Sequence, residues 1–337
     1  FRVAQALEAV PATPAGAPFT LPLARGSRHV LILGAGIGGV VAAYELERAG
    51  YSVEILEASH RVGGRVLTLR HGDVVDEIGN RQVCQFDEDP NLYFNAGASR
   101  IPSTHTRLLD YCRSLGVALE THVNMNPSAW LQYDGANGGQ RMRQREFNAD
   151  ARGFISELLA KWISNGKLQA PLDAADTERL VQFAVQFGDL DQDLGYHGSG
   201  NRAGYARGGL YLPGEHKAVH DLSSLLRSDF WRSSMNFGES ESQSAMLQPV
   251  GGMDRIVKTM ASRLSRPPVL NAQVVDVRTG EDKVTVAYRQ GGELRTTSAD
   301  YCLNSIPGQL LSGIANNFSA DFRARLATRP RGRLAKI

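Results

Sequence analysis

Several protein classes are excluded by what this sequence has little of. Its three cysteines, Cys84, Cys112 and Cys302, have neither metal-ligand nor CxxC spacing, so we predict no metal site and no redox motif, and they say little about the compartment. The formal net charge is only +2, which provides no overall basic field for nucleic acid. Because the sequence contains no run of about 18 apolar residues, we also predict no membrane span.

The two ends of the chain carry weaker signals. The sequence has 337 residues, enough for two or three domains, and it begins at Phe1 rather than at a methionine. Residues 9–24 are rich in Pro and Ala, which favours an extended N-terminal arm over residues 1–27. A removed export signal would make the protein secreted or periplasmic, and a cytoplasmic location stays an alternative. The final segment RGRLAKI has the pattern of a strand, so we expect a longer polypeptide.

A glycine-rich segment follows the apolar run at residues 29–33. His29–Leu33 is suited to a buried parallel strand, and the glycines after it have the GxGxxG spacing. Gly34 permits the tight turn, Gly36 lets the backbone approach a pyrophosphate, and Gly39 allows a helix to pack closely on the strand. A helix with an apolar face is then predicted to end at Gly50.

A second strand and an acid complete a dinucleotide-binding pattern. The segment YSVEILE follows the helix, and Glu57 stands at its end, where a carboxylate accepts hydrogen bonds from ribose hydroxyls. An acid there also argues against NADP, because it would repel a 2′-phosphate. This combination predicts a dinucleotide site, with an incidental glycine-rich turn between strand and helix as the alternative. The fingerprint by itself does not distinguish a nicotinamide from a flavin.

Two further glycines and an arginine, Gly63, Gly64 and Arg65, begin six residues after Glu57. A double glycine lets backbone amides face a second part of the same ligand, and the arginine offers donors to a phosphate or a flavin carbonyl. A surface arginine after a turn is the simpler alternative. The stretch from residue 34 to residue 65 resembles the start of flavin amine oxidases, and this resemblance implies FAD rather than NAD as the cofactor.

The segment NAGASRIP contains a lone arginine, Arg100, behind small residues. It resembles a segment of L-amino acid oxidases whose arginine forms a bidentate pair with the α-carboxylate of the substrate, although Ser99 replaces the methionine usual there. A carboxylate that enters a dry pocket must be paired, and a planar guanidinium also fixes its orientation. Simple amines have no carboxylate and need no such group. A structural salt bridge is the alternative role of Arg100.

Two later segments extend the resemblance. The stretch QPVGGMDRIVKTM, from Gln248, resembles the family segment that returns the chain to the FAD domain. The resemblance implies that Val275 contacts the adenine through its backbone, and a core valine is the alternative. Lys336 aligns with a family lysine that holds a water beside flavin N5 and assists reoxidation by O2. An exposed lysine at a strand end is the alternative for that residue.

The predicted site residues fall into two groups. Arg100 and Lys336 are the predicted catalytic residues, and Arg100 is also predicted to bind the substrate. The predicted cofactor contacts are Gly34, Gly36, Ile37, Gly38, Gly39, Glu57, Ala58, Gly63, Gly64, Arg65, Gly97, Ala98, Ser99, Arg100 and Val275. His197, His216 and His220 lie in a glycine-rich stretch and are alternatives for a base or an entry funnel, although loop histidines more often lie at the surface.

The patterns and the resemblance together predict an α/β protein of the glutathione-reductase-like, amine oxidase architecture. Its parts are a Rossmann-type FAD-binding domain (28–72 and 246–307), a mixed-sheet substrate-binding domain (73–104 and 308–337) and a helical insertion (105–245). Alternating residues predict strands at Val274–Val277, Lys283–Tyr288 and Glu293–Thr297, with glycine-containing turns between them, and Tyr301–Ser305 is predicted to join the parallel sheet. The final segment of the family is absent here, so we expect an incomplete substrate domain that the rest of the polypeptide completes, in the same or in a separate chain.

The resemblance implies FAD-dependent oxidative deamination of L-amino acids. FAD takes a hydride from the α-carbon, the imino acid hydrolyses to a 2-oxo acid and ammonia, and O2 reoxidises the flavin to give H2O2. Three alternatives stay open: an amino-acid 2-monooxygenase that forms an amide and CO2, a primary or polyamine oxidase, and a flavoprotein without catalysis. We expect a small-molecule substrate with O2, a homodimer or higher homo-oligomer, and no nucleic acid partner.

Overall fold

The computed structural model describes residues 20–24, 26–77, 79–123, 125–135, 139–164, 173–208, 213–228, 230–231 and 245–327. The chain divides into two compact units. Unit 1 comprises Phe1–His122 with Ala245–Ile337, and unit 2 comprises Val123–Ser244. Residues 105–122 therefore belong to unit 1, whereas the sequence predicts a helical insertion that begins at 105. The division of the chain into three domains stays a prediction.

Both units contain helices and short strands. The strands are β1 (His29–Leu33), β2 (Ser52–Leu56), β3 (Thr68–Leu69), β4 (Val74–Glu77), β5 (Asn80–Val83), β6 (Phe94–Asn95), β7 (Leu119–Val123), β8 (Trp130–Leu131), β9 (Met142–Arg143), β10 (Tyr205–Arg207), β11 (Glu215–His216), β12 (Ala245–Pro249), β13 (Gln273–Thr279), β14 (Val284–Gln290), β15 (Glu293–Ala299), β16 (Tyr301–Asn304) and β17 (Ala315–Asn316). The helices are α1 (Ile37–Arg48), α2 (Thr106–Leu115), α3 (Gln144–Ser164), α4 (Ala174–Gly188), α5 (Leu222–Arg227), α6 (Asp254–Ala261), α7 (Gly308–Leu311) and α8 (Ala320–Ala327).

The first strand, β1, lies at the centre of a parallel sheet with the strand order β16-β1-β2. Its apolar run is buried on both faces, as is usual for a parallel strand with a layer on each side. Val30 and Ile32 belong to one core cluster, while Leu31 and Leu33 belong to another. The position of β16 beside β1 confirms the predicted return of the chain to the parallel sheet.

The two faces of this sheet are covered by different layers. On one face, α1, α2 and α6 form a helical layer, to which Val40 and Ile256 contribute fully buried side chains. On the other face lies the sheet β15-β14-β13-β17, which contributes Val277 and Val286. Strands β13, β14 and β15 confirm the three predicted strands, and they pair antiparallel. The carboxyl ends of β1 and β2 are left at one edge, where open α/β sheets bind ligands.

Short pairings bring three distant segments of unit 1 together. Strand β3 pairs antiparallel with β6, so the chain after Arg65 runs beside the chain before Arg100. Ile101 in turn forms an isolated antiparallel bridge with Leu247 in β12. The hydrogen bonds of this bridge measure 2.7 and 3.1 Å between nitrogen and oxygen. The predicted arginine is thereby held between the cofactor-binding half and the later return segment.

Unit 2 is built on a pair of helices, which confirms the helical segments predicted around residues 154–166 and 177–190. Helices α3 and α4 pack so closely that a Cβ at Gly188 would overlap the side chain of Ser156. Helix α4 begins after Asp173, whose carboxylate accepts a hydrogen bond from the N–H of Asp176. Among the residues described in either unit, no helix is both long and apolar enough to cross a membrane.

Candidate functional site

The glycine turn between β1 and α1 has the geometry that its sequence predicts. Gly34 adopts φ +99°, a left-handed conformation that favours glycine. A Cβ at Gly39 would overlap the carbonyl oxygen of Gly34, so only glycine allows α1 to start this close to the strand. A Cβ at Gly36 or Gly38 would meet no atom within 4 Å. These two glycines therefore border open space, which a ligand can fill.

A cavity of ≈ 990 Å³ lies at this edge of the sheet. Its size is at the upper end of the range for small-molecule sites, about 300–1,000 Å³. The predicted cofactor contacts that line it are Gly34, Gly36, Ile37, Gly38, Glu57, Ala58, Gly63, Gly64, Arg65 and Val275. Gly39 and the stretch 97–100 do not line the cavity. Gly39 lets α1 pack closely against the turn after β1, and the stretch 97–100 lies beside the chain that follows Arg65.

Part of the cavity wall was not predicted from the sequence. It comprises Val66, Ala272, Gln273, Val274, Ser305, Ile306, Pro307, Leu310, Gly313 and Ile314. One signal was available, because Ser305 comes directly after the carboxyl end of β16, the edge at which parallel sheets bind ligands. The Ser305 hydroxyl donates to the carbonyl oxygens of Leu33 and Gly34, at 2.9 and 3.0 Å, and so holds the glycine turn from behind.

Glu57 stands at the carboxyl end of β2 with its carboxylate already positioned. One oxygen accepts a hydrogen bond from the N–H of Ala35 at 2.6 Å, and the other accepts from the N–H of Ser59 at 2.8 Å. A carboxylate has about four acceptor positions, so each oxygen can still accept from a ligand hydroxyl. The side chain thereby joins the glycine turn to the loop that contains Gly63 and Gly64.

Gly63 and Gly64 lie directly against the glycine turn. Gly63 forms a parallel bridge with Gly36, and its N–H donates to the carbonyl of Ala35 at 2.8 Å. Both glycines have positive φ, +104° and +54°, and a Cβ at Gly63 would come within 2.8 Å of the carbonyl oxygen of Val66. The side chain of Arg65 is exposed and, among the described residues, has no carboxylate partner. The cavity wall therefore presents an uncompensated guanidinium, which favours an anionic ligand.

Val275 occupies an irregular position in β13. The pairing of β13 with β14 shifts register between Val274 and Asp276, so Val275 is the extra residue of a β-bulge. The extra residue of a bulge is left outside the ladder of hydrogen bonds. Because Val275 also lines the cavity, its main-chain groups are available for a ligand. Nothing in the local sequence distinguishes this valine from its neighbours, since a bulge is decided by the pairing of two strands.

The segment with Arg100 is tied to the cofactor-binding half through its main chain. Gly97 donates its N–H to the carbonyl of Leu67 at 3.0 Å, and a Cβ at Gly97 would overlap the carbonyl oxygen of Arg65. Glycine is therefore required where this segment crosses the chain after Arg65. The guanidinium of Arg100 is exposed, and no ion pair joins it to another residue in the described part of the chain.

A buried polar network fixes the start of α6 against the same segments. The amide oxygen of Asn95 accepts from the Thr68 hydroxyl at 2.8 Å and from the N–H of Met253 at 3.0 Å, which caps the helix from outside. Arg70 binds both carboxylate oxygens of Asp254, at 2.8 and 3.0 Å. Burial opposes ionisation of Asp254, but hydrogen bonds from Arg70 and Lys258 hold its pKa below the usual range. The two predicted landmarks around residues 97–100 and 251–254 are thus one connected structure.

Comparison with known proteins identifies the family of this chain. A family model described as flavin containing amine oxidoreductase matches residues 37–334, most of the 337 residues. The chain belongs to the flavin-containing amine oxidoreductase family. This match, together with the parallel sheet and its glycine turn, confirms the predicted α/β fold and the predicted resemblance.

Members similar to this chain include named L-amino-acid oxidases. That of Gloydius halys is 26% identical over 290 residues, which cover 82% of this chain and 51% of that protein. That of Notechis scutatus scutatus is 27% identical over 294 residues, which cover 82% of this chain and 50% of that protein. The chain thus spans about half the length of the curated relatives it matches. The solved cyclohexylamine oxidase of Brevibacterium oxydans is 17% identical, with a TM-score of 0.48, over 89% of this chain and 63% of that chain.

The cofactor of this flavin-containing oxidoreductase is FAD, and the cavity fits it. The open space beside Gly36 and Gly38 accommodates a phosphate group near main-chain N–H groups. Glu57 is placed to accept from ribose hydroxyls, and Arg65 provides an unpaired positive charge for the diphosphate or the flavin. No group of His, Cys, Asp or Glu with metal-binding geometry occurs among the described residues.

One further prediction concerns a single lysine. Lys336, the predicted site of the water that assists reoxidation, lies outside the described residues. Of the three cysteines, Cys112 and Cys302 have thiols whose pKa is raised to about 11 by burial. Thiols with such a pKa are protonated at neutral pH and are poor nucleophiles.

Proposed function

We propose that the protein containing this chain oxidatively deaminates L-amino acids. The net reaction consumes the amino acid, O2 and water, and produces a 2-oxo acid, ammonia and H2O2. The observation that supports it best is the state of Arg100, whose exposed guanidinium has no acid partner in the described part of the chain. Such a group is suited to a bidentate pair with a carboxylate that arrives with the substrate.

The names of the similar proteins support the same substrate class. The oxidases of Gloydius halys and Notechis scutatus scutatus are both named for L-amino acids. Their identity to this chain, 26% and 27%, carries the substrate class to this protein as a proposal. Arg100 offers an independent chemical reason for an amino acid substrate, because the substrate of a simple amine oxidase has no carboxylate that an arginine could pair.

We propose the following division of work in the cavity. Main-chain N–H groups of the turn at Gly34–Gly39 hold the diphosphate of FAD, Glu57 accepts from its ribose, and Val275 contacts the adenine through its backbone. Arg65 adds positive charge to the same ligand. When bound, FAD supplies the hydride acceptor. The chain itself contributes binding and orientation, and no nucleophilic side chain is needed.

Arg100 would act on the substrate by orientation and by charge. A carboxylate loses water when it enters the site, and a fixed guanidinium compensates that loss. Two parallel hydrogen bonds also fix the plane of the carboxylate, which restricts where the α-carbon can lie. The main-chain bonds around Gly97 and Ile101 hold the arginine in place before the substrate arrives.

The test compares amino acids with the amines that lack only the carboxylate. In the purified full-length protein, Arg100→Ala should lower kcat/KM for L-amino acids, measured as H2O2 release. The decrease should correspond to a loss of about 3–5 kcal/mol in transition-state binding. Arg100→Lys should lose less, because an ammonium keeps the charge but not the paired geometry. Arg81→Ala, which changes another exposed arginine of unit 1, should leave turnover unchanged.

The products and the substrate range decide between the alternatives. Formation of a 2-oxo acid with ammonia supports the proposal, whereas an amide with CO2 would identify a 2-monooxygenase. Equal oxidation of the matched amines, unaffected by Arg100→Ala, would identify an amine oxidase. If no L-amino acid bleached the flavin under anaerobic conditions, the protein would be identified as a flavoprotein that does not catalyse this reaction.

Two expectations stay predictions alongside this function. They are the homodimer or higher homo-oligomer, and a secreted or periplasmic location with a cytoplasmic one as the alternative. Light scattering of the purified protein tests the first, and fractionation of the producing cells tests the second. A screen of the twenty L-amino acids, read as H2O2 release, determines which of them is preferred.

A further inference from the structure

The bridge between Ile101 and Leu247 determines which residue lies beside Arg100. Because the bridge is antiparallel, the residue before Ile101 lies across from the residue after Leu247. These two residues are Arg100 and Gln248. Residues that face each other in an antiparallel pair have their side chains on the same face. The register therefore places Gln248, in β12, next to the proposed carboxylate-binding arginine.

The side chain of Gln248 is held by two residues of β7. Its Nε2 donates to Oε1 of Glu120 at 2.8 Å, and its Oε1 lies 3.1 Å from Nδ1 of His122. Strand β7 pairs with β12, so Glu120 lies one strand further from Arg100 than Gln248 does. With about 4.8 Å between neighbouring strands, the main chains at Arg100 and Glu120 are about 10 Å apart.

The carboxylate of Glu120 is fixed in position but not neutralised. Its Oε1 also accepts from the Tyr93 hydroxyl at 2.9 Å. Burial and this hydrogen bond raise the pKa of Tyr93 to about 12, so the hydroxyl stays a neutral donor at physiological pH. Among the described residues, Oε2 of Glu120 accepts no hydrogen bond and no lysine or arginine pairs with the carboxylate. Since Glu120 is exposed, its second oxygen is open to a ligand.

We propose that Glu120 selects basic L-amino acids by pairing with the cationic end of the substrate side chain, an inference that rests on the proposed amino acid oxidation. Arg100 and Glu120 are opposite charges on the same face, and they do not pair with each other. A basic amino acid carries the complementary charges, an α-carboxylate at one end and an ammonium or guanidinium at the other. Such a substrate lies across Gln248, with its carboxylate at Arg100 and its cationic end at Glu120.

This arrangement discriminates between side chains by charge. An acidic side chain is repelled by the carboxylate of Glu120. A neutral side chain forms no ion pair there and displaces water from an oxygen that then lacks a partner. L-lysine and L-norleucine are the sharpest comparison, because both side chains have four carbons in line and only that of lysine ends in an ammonium.

The experiment measures a preference ratio, which is kcat/KM for L-lysine divided by kcat/KM for L-norleucine. H2O2 release from the purified full-length protein with its FAD gives both values. The ratio should exceed about 10 in the wild type, and Glu120→Gln should lower it about 10- to 100-fold, the range of a hydrogen bond between charged groups. Tyr93→Phe, which removes one donor but keeps the carboxylate, should lower it less.

The controls separate this effect from a general loss of structure. Glu281→Gln, a matched change of an exposed glutamate of unit 1, should leave the ratio unchanged. Glu120→Asp should give an intermediate ratio and a wild-type melting temperature, which keeps the test valid if Glu120→Gln does not fold.

The outcomes distinguish the substrate class from the reaction itself. A wild type that oxidises L-norleucine as well as L-lysine, or an unchanged ratio in a folded Glu120→Gln protein, would overturn the role of Glu120 while amino acid oxidation stands. Cadaverine is L-lysine without its carboxylate. If the wild type oxidised cadaverine as efficiently as L-lysine, the proposed function would be overturned, and the selection of amino acids by Glu120 with it.

Discussion

The cavity of unit 1 depends on glycines at close contacts, whereas the polar core of unit 2 depends on charged and polar side chains. Several glycines line the cavity, and glycines also stand where chain segments meet closely at its edge, as at Gly39 and Gly63. The core of unit 2 is a network of side chains around Asp150, which is only 2% exposed. One region depends on the absence of side chains and the other on their charges.

The network in unit 2 joins residues from three separate stretches. The carboxylate of Asp150 accepts from the Tyr196 hydroxyl at 2.8 Å, and from the backbone N–H and the Nδ1 of His220 at 2.9 and 2.8 Å. Beside it, Lys217 forms an ion pair with Glu146. Hydrogen bonding to Asp150 raises the pKa of His220 above its ordinary value of 6.5, although burial opposes the charge.

This difference predicts how each region should respond to substitution and to pH. Substitution of a glycine at a close contact should disrupt the turn through steric overlap, with little dependence on pH, whereas a charged network should titrate. The two can be followed separately, because all three tryptophans, Trp130, Trp162 and Trp231, lie in unit 2. Tryptophan fluorescence therefore reports on unit 2, and FAD binding reports on unit 1.

We expect the largest effect from Gly39→Ala. The new methyl group would overlap the carbonyl of Gly34, so α1 must move away from β1, at a cost of about 3 kcal/mol in the free energy of unfolding. FAD binding should be lost with it. Denaturant titration followed by circular dichroism, with and without FAD, measures both.

Gly38→Ala is the matched control for that change. It adds the same methyl group on the same turn, but in open space, and alanine favours the helix more than glycine does. Its apoprotein should be at least as stable as the wild type. Equal destabilisation by the two substitutions would show that the steric account of the turn is wrong.

Asp150→Ala should be the next largest effect, and it should be confined to unit 2. The change leaves the Tyr196 hydroxyl and His220 without their shared acceptor in a buried position, at a cost of about 2–3 kcal/mol. Tryptophan fluorescence should show unfolding at lower denaturant concentration. The control is Asp193→Ala, which removes the partner of His197 from an exposed ion pair of the same type. If Asp193→Ala lowered the denaturant concentration of unfolding as much as Asp150→Ala, burial would not explain the effect of Asp150→Ala.

A smaller effect should come from pH, again only in unit 2. Because the pKa of His220 is raised in the folded state, its contribution is fully present below pH 6.5 and is lost as pH rises through the folded value. The free energy of unfolding reported by tryptophan should therefore fall as the pH rises above 6.5. Asp150→Asn should remove most of this slope. The same slope in Asp150→Asn would assign it to other groups.

Part of the cavity wall could be predicted from the sequence because the signals there are local. Gly34, Gly36, Glu57 and Gly63 lie within 30 residues, and at Gly34 and Gly63 a positive φ favours glycine. The wall formed by Ser305 was missed because β16 is far away in the sequence and joins β1 only in the folded sheet. A positive φ or a close approach limits the choice of residue, but a contact between distant segments leaves no such local signature.

The sequence by itself determined a tight glycine turn after a parallel strand, because the backbone there leaves no place for a side chain at Gly34 and Gly39. Only the tertiary structure decided which groups support that turn and what surrounds it. The bulge at Val275, the cap that Asn95 provides to α6, and the pairing of Asp150 with His220 each depend on segments far apart in the chain. Such contacts are selected by packing in three dimensions, where many sequences satisfy the same geometry.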